Sequence, residues 1–272
     1  MLNINENTTK FLHNKAISVR RKILNSLHSS GGGHYGGSFS VADILVVLFH
    51  CNINIEKDKL ILSKGHAAIA LYSTLAEINI IDKSKLADYG KLNSGLEGHP
   101  DMLVTPGVDF STGSLGQGLS VGLGMALGMK NTDANVWVIL GDGECQEGQI
   151  WEAAMLCSRY KIDNIHVVID FNGAQECGFK FNQTLVQEPL PDAIQKWKAF
   201  GWHVMEVDGH NHYELENSFL EALDIKNTPT VTIAKTKKGA GVKLFEENPE
   251  MYHCATLTTE EYLLALKDLD IK

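Results

Sequence analysis

The sequence predicts a three-layer α/β domain, in which helices cover both faces of a mostly parallel sheet of about five or six strands. Residues 136–140 are a continuous apolar run, which is typical of a parallel strand buried on both faces, and residues 165–169 form a second, mostly apolar strand. Between them, residues 148–160 repeat apolar side chains at the spacing of one buried helix face. A right-handed crossover brings the carboxyl ends of both strands to one sheet edge, where open α/β sheets bind ligands. We expect residues 1–272 to form one such domain.

The composition is that of a soluble globular protein, because 44% of the residues are hydrophobic and 21% are charged. The formal net charge of −9 argues against a nucleic-acid groove and against binding to an anionic membrane. The N-terminus does not resemble a signal peptide, and no apolar run approaches the roughly 20 residues that span a bilayer. The five cysteines include no C-x-x-C pair and fit reduced thiols better than disulfides or zinc. We therefore expect a cytoplasmic protein that binds neither nucleic acid nor a membrane.

Two polar turns follow the central strands. Asp142 follows the first strand and offers an anionic oxygen, and Asn172 follows the second and offers an amide oxygen. Glycines beside both let the backbone approach closely, so a carbonyl near Ala174 could be a third ligand. Magnesium takes a few oxygens from protein and the others from phosphates and water. The alternative is a plain tight turn with a turn-forming asparagine, but the two turns after two buried strands favour a Mg²⁺-diphosphate site.

The other elements follow from local periodicity and turn formers. Helices are predicted over 6–29, 41–49, 67–76, 191–200, 212–223 and 258–269, and strands over 60–62, 202–207 and 228–234. Residues 92–109 contain many turn formers and predict a loop at the sheet edge, and residues 174–188 predict a surface loop.

Two histidines lie where loops approach the predicted ligand edge. His34 lies within the glycine-rich stretch 29–40, for which a flexible linker is the alternative. Ser40, with Asp43 three residues later, resembles a capping box that would anchor this loop to the next helix. His66 lies at a strand-to-helix junction, where a simple helix cap is the alternative.

Residues 111–130 contain six glycines, too many for a free-standing helix, since each costs about 1 kcal/mol relative to alanine. We expect the first glycines to form a loop at a helix N-terminus, where free N–H groups and the helix dipole favour phosphate. We expect the later glycines to form a flat face that packs closely against another helix.

Two stretches near the end of the chain also reach this edge. Lys235 ends a strand there, whereas Lys237 and Lys238 are expected to face solvent, with the alternative that one of them helps to bind phosphate. The turn at 208–210 is expected to be structural.

These motifs together resemble the transketolase family of thiamine diphosphate enzymes. The two polar turns match the signature GDG followed after about thirty residues by asparagine, and GDGECQEGQIWEAAM is similar to the transketolase branch in particular. Further blocks stand in the family order: the His34 loop, LSKGHAA, GHPD, STGSLGQG, and KTKKGAG with NPEMYH. The chain departs from the family pattern in an extra glycine before His34, in Tyr35 after it, and in Tyr252 where tryptophan is usual.

The resemblance implies thiamine diphosphate and Mg²⁺, or Ca²⁺ in its place, as cofactors. It implies that the metal is bound by Asp142, Asn172 and the carbonyl of Ala174. It implies that the cofactor is bound by His66, Gly113, Ser114, Leu115, Asp142, Gly143, Glu144, Asn172, Lys235 and His253. It implies that the catalytic cleft is lined by His34, His66, His99 and His253. Glu147 is grouped with these as the counterpart of a family residue at the subunit contact, not as the catalytic base.

The resemblance covers only the diphosphate-binding domain of transketolase. It implies an N-terminal subunit that works with a separate C-terminal subunit, which would contribute a pyrimidine-binding domain and its catalytic glutamate. An assembly with two copies of each subunit (α2β2) is expected. The reaction implied is transfer of a two-carbon ketol unit from a ketose to an aldose, or between their phosphates, through a dihydroxyethyl-thiamine diphosphate intermediate.

Two alternatives remain open. The altered His34 loop favours a transketolase-like enzyme of a specialised pathway that acts on an unusual sugar, aminosugar or sulfosugar. A hypothesis of another class is a non-catalytic scaffold subunit, against which the intact Asp142, Asn172, His66 and His253 argue.

Overall fold

The computed structural model describes residues 6–176, 180–181, 185–186 and 189–270, and it confirms the predicted α/β architecture. The strands in chain order are β1 (Lys59–Leu62), β2 (Val136–Gly141), β3 (Ile165–Phe171), β4 (Lys180–Phe181), β5 (Leu185–Val186), β6 (His203–Asp208) and β7 (Thr230–Lys235). Five of them form a parallel sheet in the order β1-β2-β3-β7-β6, and β4 and β5 form a small antiparallel pair.

Helices precede, connect and follow these strands. The α-helices are α1 (Glu6–Ser29), α2 (Tyr35–Ser40), α3 (Ala42–Val47), α4 (Ala68–Glu77), α5 (Gln117–Gly128), α6 (Gly148–Arg159), α7 (Ala193–Ala199), α8 (His212–Asp224), α9 (Lys243–Glu247) and α10 (Thr259–Asp270). Short 3₁₀ turns occur at Gly65–Ala67, Lys83–Asp88 and Glu144–Gln146, and a π-helical turn at Leu48–Asn52. Most predicted boundaries lie within two residues of those observed, which is the ordinary uncertainty of helix and strand ends. Within the described ranges, no helix combines the length and apolar character needed to cross a membrane.

Two hydrophobic cores lie on the two faces of the sheet, because successive side chains of a strand point in opposite directions. In β2, Trp137 and Ile139 pack into the core with α1, α3, α4 and α8. Val136, Val138 and Leu140 pack into the core with α5, α6 and α7. All residues of β2 and β3 are buried, including the polar His166 and Asp170 of β3. The three layers follow directly from this alternation.

The predicted capping box is wrong, and part of the predicted loop before it is helical. Residues 35–40 form α2, and no side chain caps α3. The Ser40 hydroxyl instead donates to Asp170 Oδ2 (2.6 Å). Asp43 accepts hydrogen bonds from Arg20, His210 and His212. Partners that are remote in sequence therefore occupy both side chains, and local pattern alone cannot reveal such partners.

In α5, Gly118 and Gly122 face the sheet and not another of the described helices of this chain, whereas Gly124 and Gly128 face outward. A Cβ atom at Gly118 would clash with Ser63 Oγ, and one at Gly122 would lie 2.6 Å from Val138 Cγ2. At Gly124 and Gly128 a Cβ atom would meet nothing within 4 Å. The predicted surface loop 174–188 is described only at 174–176, 180–181 and 185–186, and its other residues lie outside the described part of the chain.

Candidate active site

A cavity of about 500 Å³ lies at the carboxyl edge of the sheet, where the segments after β1, β2, β3 and β7 converge. Its lining consists of His34, Gly37, Lys64, His66, Gly113, Leu115, Gly141, Asp142, Gly143, Glu144, Gln146, Glu147, Asn172, Ala174, Gln175, Glu176, Lys238 and His253. Most of the residues singled out in the sequence are in this lining. Ser114, His99 and Lys235 are not among them.

Asp142 joins the two polar turns. Its Oδ1 accepts from Gly143 N (2.8 Å) and its Oδ2 from Gly173 N (2.6 Å). The side chain makes no ion pair among the described residues. Burial, and then the neighbouring Asp170 carboxylate, raise the pKa of Asp142 to about 6. A cation bound at this carboxylate would lower its pKa and so favour the ionised form.

Asn172 and Ala174 place two further oxygens beside Asp142. Asn172 Oδ1 accepts from Ala174 N (3.1 Å), and its Nδ2 lies 3.4 Å from Ser40 Oγ. Within the described ranges, no three His, Cys, Asp or Glu side chains cluster in a way that could hold a metal. One carboxylate, one amide and one carbonyl oxygen fit a hard cation that also takes oxygens from a diphosphate and water.

Three imidazoles line the same cavity. The ring centroids of His34, His66 and His253 lie 5.2, 5.6 and 5.8 Å apart pairwise. Burial and then Lys64 hold the pKa of His66 well below its ordinary value, and burial and then Lys238 lower the pKa of His253 to about 3. The pKa of His34 is lowered by burial and then by His99. Near neutral pH these rings are therefore uncharged, and each has one N–H donor and one acceptor.

His99 lies behind the cavity wall. A Cβ atom at Gly113 would lie 3.3 Å from His99 Cδ2, so the ring packs against the backbone of Gly113. The hydroxyl of Tyr72 donates to the carbonyl of His99 (3.1 Å), which fixes the loop. In the described structure His99 therefore supports the glycine loop that carries Gly113 and Leu115 into the cavity.

Glu144, predicted as a cofactor contact, lines the cavity, and its carboxylate binds protein groups. Its carboxylate accepts from Ser63 Oγ, Gly116 N (2.8 Å) and Gly141 N (3.0 Å). Gly116 has a φ of +85°, which favours glycine. Gly118 N donates to Ser63 Oγ (3.2 Å), so two N–H groups at the start of α5 are already occupied. This observation corrects the expectation that they are free to bind phosphate.

The structure reverses the environments expected for Lys235 and Lys238. Lys235 pairs with Glu206 (2.7 Å), and its side chain is 56% exposed outside the cavity. Lys238, expected at the surface, is 3% exposed and lines the cavity. Its Nζ lies 2.6 Å from His253 Nδ1 and 3.4 Å from the carbonyl of Ala174. Burial and then Lys64 lower the pKa of Lys238 to about 8.

Two glycines within α2 held a signal for this lysine. A Cβ atom at Gly36 would lie 2.8 Å from Lys238 Cγ, so the absence of a side chain there makes room for the lysine stem. The pair Gly36-Gly37 was visible in the sequence, but its partner across the cavity was not.

Sequence reasoning also missed the ion pair of Lys64 and Asp170, both fully buried. Lys64 also donates to the carbonyl of Gly37 (3.1 Å). Asp170 also accepts from Ser40 and from Thr236, which follows β7. The pair therefore ties β1, α2, β3 and β7 together directly behind the cavity. The available signal was their position near the carboxyl ends of buried strands, with Lys64 two residues after β1 and Asp170 within β3.

Glu147 lies at the exposed rim of the cavity. A Cβ atom at Gly116 would lie 2.8 Å from Glu147 Cβ, so the rim and the glycine loop are in close contact. Leu115, on the same loop, is partly exposed. The cavity is open to the surface along this side.

Comparison with known proteins gives consistent matches. Residues 12–270 match the family described as transketolase, thiamine diphosphate binding domain. The 6-deoxy-6-sulfo-D-fructose transketolase subunit SqwG of Clostridium sp. is 36% identical over 95% of this chain and 96% of the relative. One of the subunits of the apulose-4-phosphate transketolase of Actinobacillus succinogenes is 39% identical over 95% of each. The transketolase of Homo sapiens is 36% identical over 89% of this chain, but over 39% of its own length.

Solved structures give the same result for the fold. The transketolase of Campylobacter jejuni has a TM-score of 0.85 and 28% identity, covering 99% of this chain and 43% of that chain. The transketolase of Leishmania mexicana has a TM-score of 0.82 and 25% identity, covering 95% and 41%. The chain thus spans about two fifths of the solved chains that it matches.

Proposed function

Because this chain belongs to the transketolase family and carries its thiamine diphosphate-binding domain, we propose that it is the N-terminal subunit of a two-subunit transketolase. The reaction is transfer of a two-carbon ketol unit from a ketose, or its phosphate, to an aldose. The observation that carries the proposal is the convergence of Asp142, Asn172, the Ala174 carbonyl and three uncharged imidazoles on one cavity. Residues 1–272 act in this proposal as one domain.

The residues present fit the cofactor and its metal. Asp142, Asn172 and the Ala174 carbonyl would hold Mg²⁺, or Ca²⁺ in its place, because all three supply hard oxygens. The burial of Asp142 at the cavity lining, which raises its pKa to about 6, supports this assignment. Gly113, Leu115 and Gly143 would contact the cofactor through backbone that approaches the cavity closely. Thiamine diphosphate, when bound, supplies a stabilised carbanion.

Lys238 is a stronger candidate than Lys235 for contact with the diphosphate, since it lines the cavity and has no carboxylate partner there among the described residues. Its ammonium lies between His253 and the carbonyl proposed as a metal ligand. A buried cation beside the metal ligands would offset the charge of an anionic diphosphate. His66 would donate to the same group through its N–H.

His34, His66 and His253 would orient the sugar and hold or move protons at its hydroxyl and carbonyl oxygens. Uncharged imidazoles suit this role, because each ring can donate at one nitrogen and accept at the other. His99 would act through the glycine loop against which it packs.

The partner that we propose is a C-terminal subunit with pyrimidine-binding and third domains. Two relatives that match this chain over nearly their whole length are named as subunits, whereas the matching single-chain transketolases are more than twice as long. The rim at Leu115 and Glu147 is open, which leaves room for a second subunit to complete the site and contribute the catalytic glutamate. An assembly with two copies of each subunit fits this arrangement.

A specialised substrate is the second candidate function. The named substrates of two relatives are 6-deoxy-6-sulfo-D-fructose and apulose 4-phosphate, neither of which is an ordinary pentose phosphate. The His34 loop of this chain also departs from the usual pattern at Tyr35. Acceptor and donor profiling of the assembled enzyme tests this candidate. Preference for ordinary pentose phosphates would reject it.

The test of the proposed function is a titration of Mg²⁺ and thiamine diphosphate into the chain alone and into its mixture with the C-terminal subunit, followed by a ketol-transfer assay. We expect tight binding and turnover only in the mixture. Asp142→Asn should abolish both, whereas Asp133→Asn, an exposed residue paired with Lys57, should change neither. If no metal-dependent binding occurs in the mixture, the non-catalytic scaffold alternative is favoured.

A further inference from the structure

The turn after β6 holds a histidine that the proposed mechanism does not use. His210 Nδ1 lies 2.7 Å from Asp43 Oδ2, and His210 Nε2 accepts from the backbone N–H of Lys237 (2.8 Å). The imidazole thus connects α3 with the segment that follows β7. Because Nε2 accepts a hydrogen bond, the ring proton is on Nδ1 and donates to the carboxylate.

Asp43 is a fixed end point for this contact. It is buried, and it also binds Arg20 and His212. Burial alone would raise the pKa of Asp43, but Arg20, His210 and His212 hold it well below its ordinary value. Arg20 donates in addition to the carbonyl of Phe39 (3.0 Å), which belongs to the helix after His34. The carboxylate is therefore ionised and held from three sides.

The other end of the contact is the backbone that carries Lys238 into the cavity. The Lys237 side chain is exposed and pairs with Glu246 (2.6 Å), whereas its backbone N–H makes the hydrogen bond to His210. Two residues on, Gly239 N donates to the carbonyl of Gly36 (3.0 Å). Lys238 lies between these two anchored amides, with its side chain directed to His253 and Ala174.

We propose that His210 is a positioning residue, which holds the segment 236–239 from behind so that the Lys238 ammonium stays in the cofactor cavity. No contact of His210 with the cavity is needed, because the constraint passes through the Lys237 backbone. This proposal rests on the proposed function only for the identity of the ligand that Lys238 contacts. The positioning itself is a property of this chain and can be measured without any ligand.

The first test is amide hydrogen exchange of the free chain, followed by mass spectrometry on peptides that contain residues 236–239. His210→Ala should increase exchange there by about five- to tenfold, since it removes one hydrogen-bond acceptor from a held amide. His210→Gln, whose amide offers one donor and one acceptor, should restore most of the protection.

His212→Gln is the matched control. His212 binds the other oxygen of the same Asp43 carboxylate (2.8 Å), but no contact of its side chain with residues 236–239 is described. The His212→Gln variant should leave the amide hydrogen exchange of residues 236–239 unchanged even if the substitution lowers the stability of the chain. Equal exchange of this segment in the wild type and in His210→Ala would overturn the proposal.

The second test asks whether the effect passes through Lys238. Binding of Mg²⁺-thiamine diphosphate to the assembled complex is measured for His210→Ala, Lys238→Met and the double variant. We expect each single variant to weaken binding by about tenfold or more, and the double variant to be no weaker than Lys238→Met. Additive losses would show that His210 does not act through Lys238. If the wild-type complex binds no cofactor, the proposed function fails, and the exchange experiment still decides the positioning.

Discussion

Lys235 and Lys238 are three residues apart, yet the structure gives them opposite environments. Lys235 forms an exposed pair with Glu206, and Lys238 is buried against His253. A cation that is buried without a carboxylate partner is costly unless a ligand compensates it. The position of Lys238 is therefore better explained by an anionic ligand than by its contribution to stability.

We expect Lys238→Met to weaken thiamine diphosphate binding about ten- to hundredfold, the range typical for loss of a charge-assisted hydrogen bond. Lys235→Met removes the same charge from the same segment and should leave the affinity unchanged. Isothermal titration of Mg²⁺-thiamine diphosphate into the assembled complex measures both. A loss of affinity in the Lys235 variant and not in the Lys238 variant would contradict the assignment.

His166 is a buried residue remote from the proposed catalytic chemistry, and it makes the stability of the fold depend on pH. Its ring lies between Thr230 Oγ1 (2.8 Å) and Asn135 Oδ1 (3.1 Å), and burial lowers its pKa to about 3. An unfolded histidine titrates near about 6.5. Between about pH 3 and pH 6.5 the unfolded chain therefore binds a proton at His166, whereas the folded chain does not. The contribution of His166 to the free energy of unfolding has its full value above about pH 6.5 and is lost as the pH falls toward about 3.

The expected size of this effect is about 1.4 kcal/mol of unfolding free energy per pH unit within that window. His166→Gln should reduce the slope of unfolding free energy against pH by this amount, measured by urea denaturation between about pH 6 and pH 5. An unchanged slope in the His166 variant would show that another group is responsible.

At the scale of elements, α5 shows two uses of glycine within one helix. Gly118 and Gly122 allow the helix to lie directly on the sheet, whereas Gly124 and Gly128 face open space. Packing within the chain explains the first pair and gives no reason for the second. The outer glycines therefore lower the stability of the helix, and no close packing at these two positions within this subunit compensates for the loss.

Alanine substitution separates the two cases. Gly122→Ala should destabilise the chain by about 1–3 kcal/mol, because its Cβ would lie 2.6 Å from Val138 Cγ2. Gly124→Ala should stabilise the isolated chain by up to about 1 kcal/mol, the difference in helix propensity. Urea denaturation with an unchanged m-value measures both. Destabilisation of similar size by the two substitutions would contradict this interpretation of the helix.

At the scale of the whole molecule, the cavity is open at a rim that includes Leu115 and Glu147. The proposed metal ligands and three imidazoles are all supplied by this chain. The glutamate that the reaction requires is expected from the partner. The chain is therefore proposed to be a binding and positioning half of an enzyme.

The isolated chain should therefore show about hundredfold less ketol transfer than the mixture with its partner subunit, or lower still, since acid–base catalysis of this kind contributes about 10²–10⁴-fold. The measurement is a coupled assay of ketose cleavage at equal concentrations of this chain. Addition of a partner whose catalytic glutamate is replaced by glutamine provides the control, and it should restore binding without restoring turnover. Full activity of the isolated chain would reject the split-enzyme proposal.

Local sequence pattern was sufficient to predict strands, helices and turns whose structure depends mainly on their own residues. The apolar runs of β2 and β3, the helical period of α6 and the turns at Asp142 and Asn172 were all legible in the sequence, and the fold class followed from them. The family resemblance added His34, His66 and His253, which the structure brings together in one cavity.

Tertiary structure alone decided the partners of buried polar groups. Local pattern could not tell which side chains Ser40, Asp43, Lys238 and Asp170 contact. Such partners are brought together only when the strands and helices pack, because a hydrogen bond between residues far apart in the sequence leaves no local period. The sequence by itself thus determined the architecture and the proposed metal ligands. The packed chain determined which lysine enters the cavity, which glutamate is already occupied, and which histidine holds the segment behind it.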